Sequence, residues 1–229
     1  MVTFSGSTWQ QPMPAEAPPM RAAVLDAVAA RIAGLGPGRL RVGVDGLTAA
    51  GKTSLGHELA RALERRGRPV LRASLDDFKR PWAERHLYDR TTGEGYYRNA
   101  FDYATARRLL LEPMGPGGDG RVALCSIDPL TQIDHSADVT AAADNAVLIV
   151  DGVFAFRPEI DAHWDLRIWV QVDEATSLRR GGARDGDDTV HRERYLPAER
   201  LYLAEADPVP RVQVLIDNTD LATPVLLRP

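Results

Sequence analysis

The chain has 229 residues, 44% of them hydrophobic and 26% charged, with a formal net charge of −4. That length suits one α/β domain whose core needs no disulfide or metal staple, and the acidic balance argues against a general electrostatic grip on nucleic acid. One cysteine, Cys125, excludes an intrachain disulfide, no stretch nears the ~18 apolar residues of a membrane span, and no basic-then-apolar leader opens the chain.

These exclusions lead to the expectation of a cytoplasmic protein with no nucleic-acid or membrane partner. Only Lys52 and Lys79 are lysines among 28 Lys and Arg, an arginine bias that points to a GC-rich bacterial genome. Homo-oligomerisation is left open.

Residues 1–19 hold four prolines and no hydrophobic period, which reads as a flexible tail before a single domain over 20–229. From Arg21 to Leu35 apolar residues keep helical spacing, and Gly36-Pro37-Gly38 stops the helix. Leu40, Val42 and Val44 alternate as a strand over 39–46. A helix follows over 53–66, then a strand over 69–75 that ends in Asp76-Asp77.

Residues 78–102 have no clean period and read as a functional loop. A helix is expected over 104–114. Residues 121–140 fit either a hairpin or an irregular insertion. Two apolar runs, 146–152 and 166–172, have the character of parallel strands buried on both faces. Residues 174–205 read as helical with a break at 179–188, where three glycines interrupt a charged run. A strand over 211–218 and an edge after it close the chain. Strands alternating with helices predict an α/β fold: a mostly parallel sheet of about five strands flanked by helices.

Gly46-Leu47-Thr48-Ala49-Ala50-Gly51-Lys52-Thr53 matches G-x-x-x-x-G-K-[ST] and lies between a strand and a helix. Small residues let backbone N–H groups curl around a phosphate, and the helix N-terminus adds its positive dipole end. Gly46, Thr48, Ala49, Ala50, Gly51, Lys52, Thr53 and Ser54 are therefore the expected phosphate cradle. Lys52 would reach the β- and γ-phosphates, and the Thr53 hydroxyl would ligate Mg²⁺. Asp151 ends an apolar strand where a second magnesium anchor belongs. Asp76 and Asp77 end another strand on the same edge, and their side chains point opposite ways. One of them suits a proton acceptor for an incoming hydroxyl.

With these residues in place, the chain resembles the uridine kinase-like group of P-loop kinases, which also holds phosphoribulokinase and bacterial pantothenate kinase. The resemblance spans roughly 39–220 and rests on VGVDGLTAAGKTS, SLDDFKRP, GYYRNAFDY, LIVDGVF, RRGGARD and VLIDNTD in that order. It implies a P-loop NTPase fold with a mobile lid at about 179–195. It also implies an activity, transfer of the ATP γ-phosphate to a small-molecule hydroxyl with Mg²⁺. Carried over by position, Asp76 becomes base and metal partner, with Lys52 and Arg184 also catalytic. Thr53, Asp76 and Asp151 become the metal set, Arg179, Arg180 and Arg184 the lid arginines, and Asn218 part of the adenine frame.

Two departures weigh against uridine or cytidine as acceptor. ALCSIDPLT (123–131) lacks the aromatic and histidine that hold a pyrimidine, and GYYRNAFD lacks the family's acceptor-loop aspartate. Asp77, Tyr97, Arg98 and Arg179 are the remaining substrate candidates. An NTP hydrolase or switch is the rival reading, disfavoured because no N-K-x-D guanine signature is present. A non-catalytic nucleotide-binding protein is a second rival.

Overall fold

The computed structural model describes residues 1–9 and 11–229. Among them the main sheet has seven strands: β1 (Val2–Phe4), β2 (Leu40–Gly46), β3 (Val70–Ser74), β6 (Val147–Asp151), β7 (Leu166–Gln171), β8 (Val214–Asp217) and β9 (Val225–Arg228). Their order is β1-β3-β6-β2-β7-β8-β9, parallel throughout except for β9, which returns antiparallel on β8. The α/β expectation holds, with two more strands than the five expected. The extra pair are the two edges: β9 is the edge expected after 211–218, and β1 is too short to show a period of its own.

Helices cover both faces. On one side α1 (Pro19–Gly34) and α2 (Lys52–Arg65) pack on Val42, Val44, Val147, Ile149 and Ile168. On the other lie α3 (Gly93–Asn99), α4 (Tyr103–Ala106) running through a π-helical turn into α5 (Glu112–Met114), and α8 (Leu196–Ala206). That second core includes Leu148, Val150, Phe154 and Tyr202. Successive β6 residues thus serve opposite cores, which is why the run reads as continuously apolar. Gly43 of β2 has no room for a side chain, since a Cβ there would sit 2.8 Å from the Phe156 ring and 2.9 Å from Trp164.

Three segments differ from expectation. The N-terminal tail begins as strand β1, paired with Val70, Leu71 and Arg72 on the otherwise open edge of β3. The chain beyond it is tied down where Ser5 donates to Asp77 and Thr8 to Asp128. The break expected within 179–188 is present but confined to 186–188. Helix α7 (Glu174–Asp185) runs through Gly181 and Gly182 and stops at Gly186, whose φ of +78° supplies the left-handed cap. The supposed loop 78–102 contains α3, capped by the Thr92 hydroxyl.

Residues 121–140 form a hairpin, β4 (Arg121–Ala123) against β5 (Val139–Ala141), joined by a long excursion. The remaining helix, α6 (Pro158–Asp161), is a single turn. Among the described residues no helix is long and apolar enough to cross a membrane.

Candidate active site

Parallel registry brings the chemistry to one edge. Val44 on β2 and Ser74 on β3 are both level with Asp151 on β6, and Gly46 is level with Val170 on β7. The loop after β2 therefore leaves the sheet beside the ends of β3 and β6, at the carboxyl edge where ligands of open α/β sheets bind.

The loop itself is shaped for an anion. Gly46, Ala49 and Gly51 have φ of +151°, +58° and +98°, and a Cβ on Gly46 would lie 2.3 Å from the Val170 carbonyl oxygen. Asn218 holds the loop from behind. Its Nδ2 donates to the Ala50 carbonyl at 2.7 Å, and its Oδ1 accepts from Arg21 at 2.9 Å. Arg21 in turn makes a buried bidentate pair with Glu58 at 2.7 and 2.6 Å. A chain of charge-assisted bonds thus fixes the loop to α1 and α2. In this structure Asn218 is a brace of the loop.

Lys52 is buried, with Nζ donating to the Gly46 and Leu47 carbonyls at 3.0 and 2.8 Å. Burial lowers its pKa, and the carboxylates of Asp45, Glu199, Asp151 and Asp76 oppose that shift. Thr53 Oγ1 donates to Asp151 Oδ2 at 2.5 Å. The other oxygen of Asp151 pairs with Arg72 at 2.6 Å, deep in the sheet. The structure thus brings Lys52, Thr53 and Asp151 together.

Asp76 and Asp77 follow β3 in a 3₁₀ turn (Leu75–Phe78) and diverge. Burial tends to raise Asp76, but Lys79 at 2.7 Å, together with Lys52 and the Trp9 indole, holds its carboxyl below the ordinary value. Asp77 is pushed up to about 7, chiefly by burial and then by Asp76 and Asp151, against hydrogen bonds from Ser7 and Ser5. Its carboxylate faces the N-terminal segment, and its backbone carbonyl accepts from the Ser126 N–H. Adjacent carboxyls with opposed shifts are the pattern of divided acid and base roles.

Of the three arginines expected in a lid, Arg180 donates to the Asn218 and Thr219 carbonyls at 3.0 and 2.9 Å. Arg184 pairs with its neighbour Asp185 within electrostatic reach of Asp76. Arg179 donates to the Thr176 hydroxyl at 3.3 Å. Ser54 lies half-buried in the first turn of α2. Tyr97 and Arg98 do not join the site. Tyr97 is buried against Phe154 and Tyr202, and Arg98 pairs on the surface with Glu94 and Glu205. Asp102 caps α4 by accepting from the Thr105 amide.

Several site residues escape a sequence reading. Glu199 on α8 accepts from the Thr48 amide. Asp45, fully buried behind the loop, accepts from the Gly46 amide and the Tyr202 hydroxyl at 2.7 and 2.6 Å. Ser177 on α7 donates to the Thr48 carbonyl and meets His191 Nε2 at 3.2 Å. Trp9 Nε1 donates to Asp76 Oδ2 at 3.3 Å. None has a local motif, and only the VDG spelling just before the loop could have drawn attention to Asp45.

No family model matches the chain. Among curated proteins it is similar to uridine-cytidine kinase B of Dictyostelium discoideum, 26% identical over 148 residues, which cover 63% of this chain and 57% of that protein. Among solved structures the fold is similar to one described as a possible uridine kinase from Bacillus stearothermophilus, with a TM-score of 0.65 and 23% identity, covering 85% of this chain and 96% of that one. A provisionally named fructose transport system kinase from Silicibacter sp. TM1040 gives 0.64 and 23%, covering 80% and 94%. The sequence is thus similar to a uridine-cytidine kinase, and the fold is shared with the possible uridine kinase and the fructose transport system kinase.

Proposed function

We propose that the protein is an ATP-dependent phosphotransferase that moves the γ-phosphoryl group to a hydroxyl of a small molecule. The observation that carries this reading is the meeting, at one sheet edge, of a phosphate loop with an ionised carboxylate, Asp76, that phosphate binding alone does not need. Similarity to nucleotide-dependent kinases of small molecules supports it.

The residues fit ATP and Mg²⁺. Lys52 presents an ammonium whose hydrogen-bond partners are loop carbonyls, and the left-handed residues open the loop's N–H groups to an anion. Thr53 with Asp151, aided by Asp76, would hold Mg²⁺, an ion commonly bound through one or two carboxylates plus substrate phosphates. When bound, the metal neutralises charge on the transferring phosphoryl group.

Lys52 and the loop amides orient the phosphates, and Arg184, within electrostatic reach of Asp76, would offset charge that grows in the transition state. Asp76, ionised throughout the neutral range, receives the acceptor's hydroxyl proton. Asp77, at about 7 and turned toward Ser5, is the weaker candidate for that role.

The test is ADP production from Mg·ATP with and without a panel of hydroxyl acceptors. Acceptor-dependent ADP, lowered about a hundredfold in Lys52→Ala and abolished in Asp76→Asn, is the expected result. Steady ADP release without any acceptor, or near-normal turnover in Lys52→Ala, overturns it.

A further inference from the structure

Beside Asp76 opens a cavity of about 520 Å³ whose cations outnumber its anions. Lys79, Arg80, Arg85, Arg90 and Arg194 line it, against Asp89 alone. Lys79 is occupied by Asp76, and Arg80 stands 3.6 Å from Glu84. Asp89 is turned to the Thr91 and Thr92 hydroxyls.

The other three arginines make no ion pair within 4.0 Å among the described residues. Arg85 stacks on Trp82, Arg90 donates to the Arg80 carbonyl, and Arg194 lies 4.5 Å over the Tyr96 ring. Burial and the crowding of Arg85, Arg194 and Arg80 both push the Arg90 pKa down. The Nε atoms of Arg80 and Arg194 are buried without a hydrogen-bond partner among the described residues.

Arg90 and Arg194, half-buried without an ion pair among the described residues and set beside the exposed Arg85, leave positive charge that an anion would complete. Arg85 and Arg90 lie outside both α7 and the segment 179–195, and Arg194, at the end of that segment, turns to the Tyr96 ring of the cavity. The volume suits a small metabolite, with aromatic rings as walls.

We propose that the acceptor is an anionic alcohol, a hydroxyl compound bearing a carboxylate or phosphate that Arg85, Arg90 and Arg194 hold while its hydroxyl lies beside Asp76. This rests on the phosphotransferase reading. Transfer forms a bond between the acceptor oxygen and the γ-phosphorus. It breaks the bond to the β–γ bridging oxygen, which leaves with the electron pair as ADP, and it delivers the hydroxyl proton to Asp76.

Matched pairs test the idea by titration calorimetry on the full chain: glycerate against glycerol, pantothenate against pantothenol, ribose 5-phosphate against ribose, and uridine 5′-monophosphate against uridine. At least one acid is expected to bind tenfold or more tightly than its neutral partner, and the pairs separate carboxylate from phosphate recognition. Arg85→Gln and Arg194→Gln should each erase about tenfold of that preference, Arg194→Lys should keep most of it, and Arg85→Gln should leave Mg·ATP affinity unmoved. The proposal is overturned if no acid outbinds its neutral partner, or if the glutamine variants weaken both members of a pair equally. Selective acid binding without acid-dependent ADP release instead removes the phosphotransferase reading and leaves the cavity as an anion site.

Discussion

Glu199 Oε1 accepts a hydrogen bond from the Thr48 amide at 2.5 Å, so a carboxylate from α8 rests on the loop shaped for phosphate. Its second oxygen is buried with no hydrogen-bond partner among the described residues. Burial raises its pKa, against the pull of Thr48 and Lys52. A negative charge here repels an incoming polyphosphate by about 1–2 kcal/mol at an effective dielectric constant near 20. Glu199→Gln keeps an acceptor for Thr48 and removes the charge, so it should tighten Mg·ATP binding roughly five- to thirtyfold. Wild-type affinity should rise as pH falls through the raised pKa, and the variant should lack that rise. Calorimetry at several pH values checks both. Equal affinities and slopes in the two proteins would show that Glu199 is protonated or withdrawn when nucleotide binds.

Asp45 makes stability depend on pH in the opposite sense to a salt-bridged carboxylate. Burial lifts its pKa from an ordinary 3.8 to about 6, and hydrogen bonds from Tyr202, Gly46 and Phe156, with the charge of Lys52, keep it from rising further. The folded state therefore holds the proton more tightly than the unfolded chain does. Its stabilising contribution is complete below about 4 and lost as pH rises through about 6, a difference on the order of 3 kcal/mol. Asp45→Asn removes this titration whatever it does to absolute stability. Urea unfolding at pH 4.5 and 7 should show a smaller decline in the variant. Parallel declines would mean that the donors around Asp45 fully offset its burial.

Arg72 and Asp151 form a pair at 2.6 Å with each side chain about 3% exposed. Removing one partner strands the other charge in the sheet, which costs about 3–5 kcal/mol, whereas removing both costs far less. Arg72→Met should therefore lower the thermal midpoint by several degrees, and Arg72→Met with Asp151→Asn should recover most of the loss. Additive losses in the double variant would deny the coupling. Catalysis separates from stability here, because the rescued protein still lacks the carboxylate beside Thr53.

The parts legible in the sequence are those where one residue type has one physical task at fixed spacing. Gly46, Gly51, Lys52 and Thr53 are such residues, and Asp151 could be read from its place at the end of an apolar strand. Glu199 could not. It meets Thr48 across about 150 residues of chain, and its helix offers a second glutamate, Glu205, that also follows an alanine. The pair Tyr97 and Arg98 misled because α3 is too short to show which face it buries. Its neighbour Tyr96, which lines the 520 Å³ cavity, is the residue that reaches the proposed acceptor site. Edge strand β1 has three residues, too few for alternation to register. Within 179–188 the low helix propensity of glycine marks the break that the chain makes at Gly186, while at Gly181 and Gly182 tertiary packing overrides it.

That packing gives a contrast between neighbours. A Cβ on Gly181 would fall 2.2 Å from His191 Nδ1, whereas one on Gly182 would lie 3.3 Å from the Asp188 Cβ. Alanine gains up to about 1 kcal/mol over glycine in a helix interior, while overpacking costs about 1–3 kcal/mol. At Gly181 the steric cost wins, and at Gly182 the propensity gain nearly balances a mild contact. Gly181→Ala should therefore lower the melting temperature by several degrees, and Gly182→Ala should leave it within about 2 °C of wild type. Displacing His191 also breaks its contact with Ser177, which anchors α7 to the Thr48 carbonyl, so Gly181→Ala should raise the KM for Mg·ATP several-fold. An unchanged KM alongside a lowered melting temperature would assign Gly181 to packing alone and free the phosphate loop from dependence on α7.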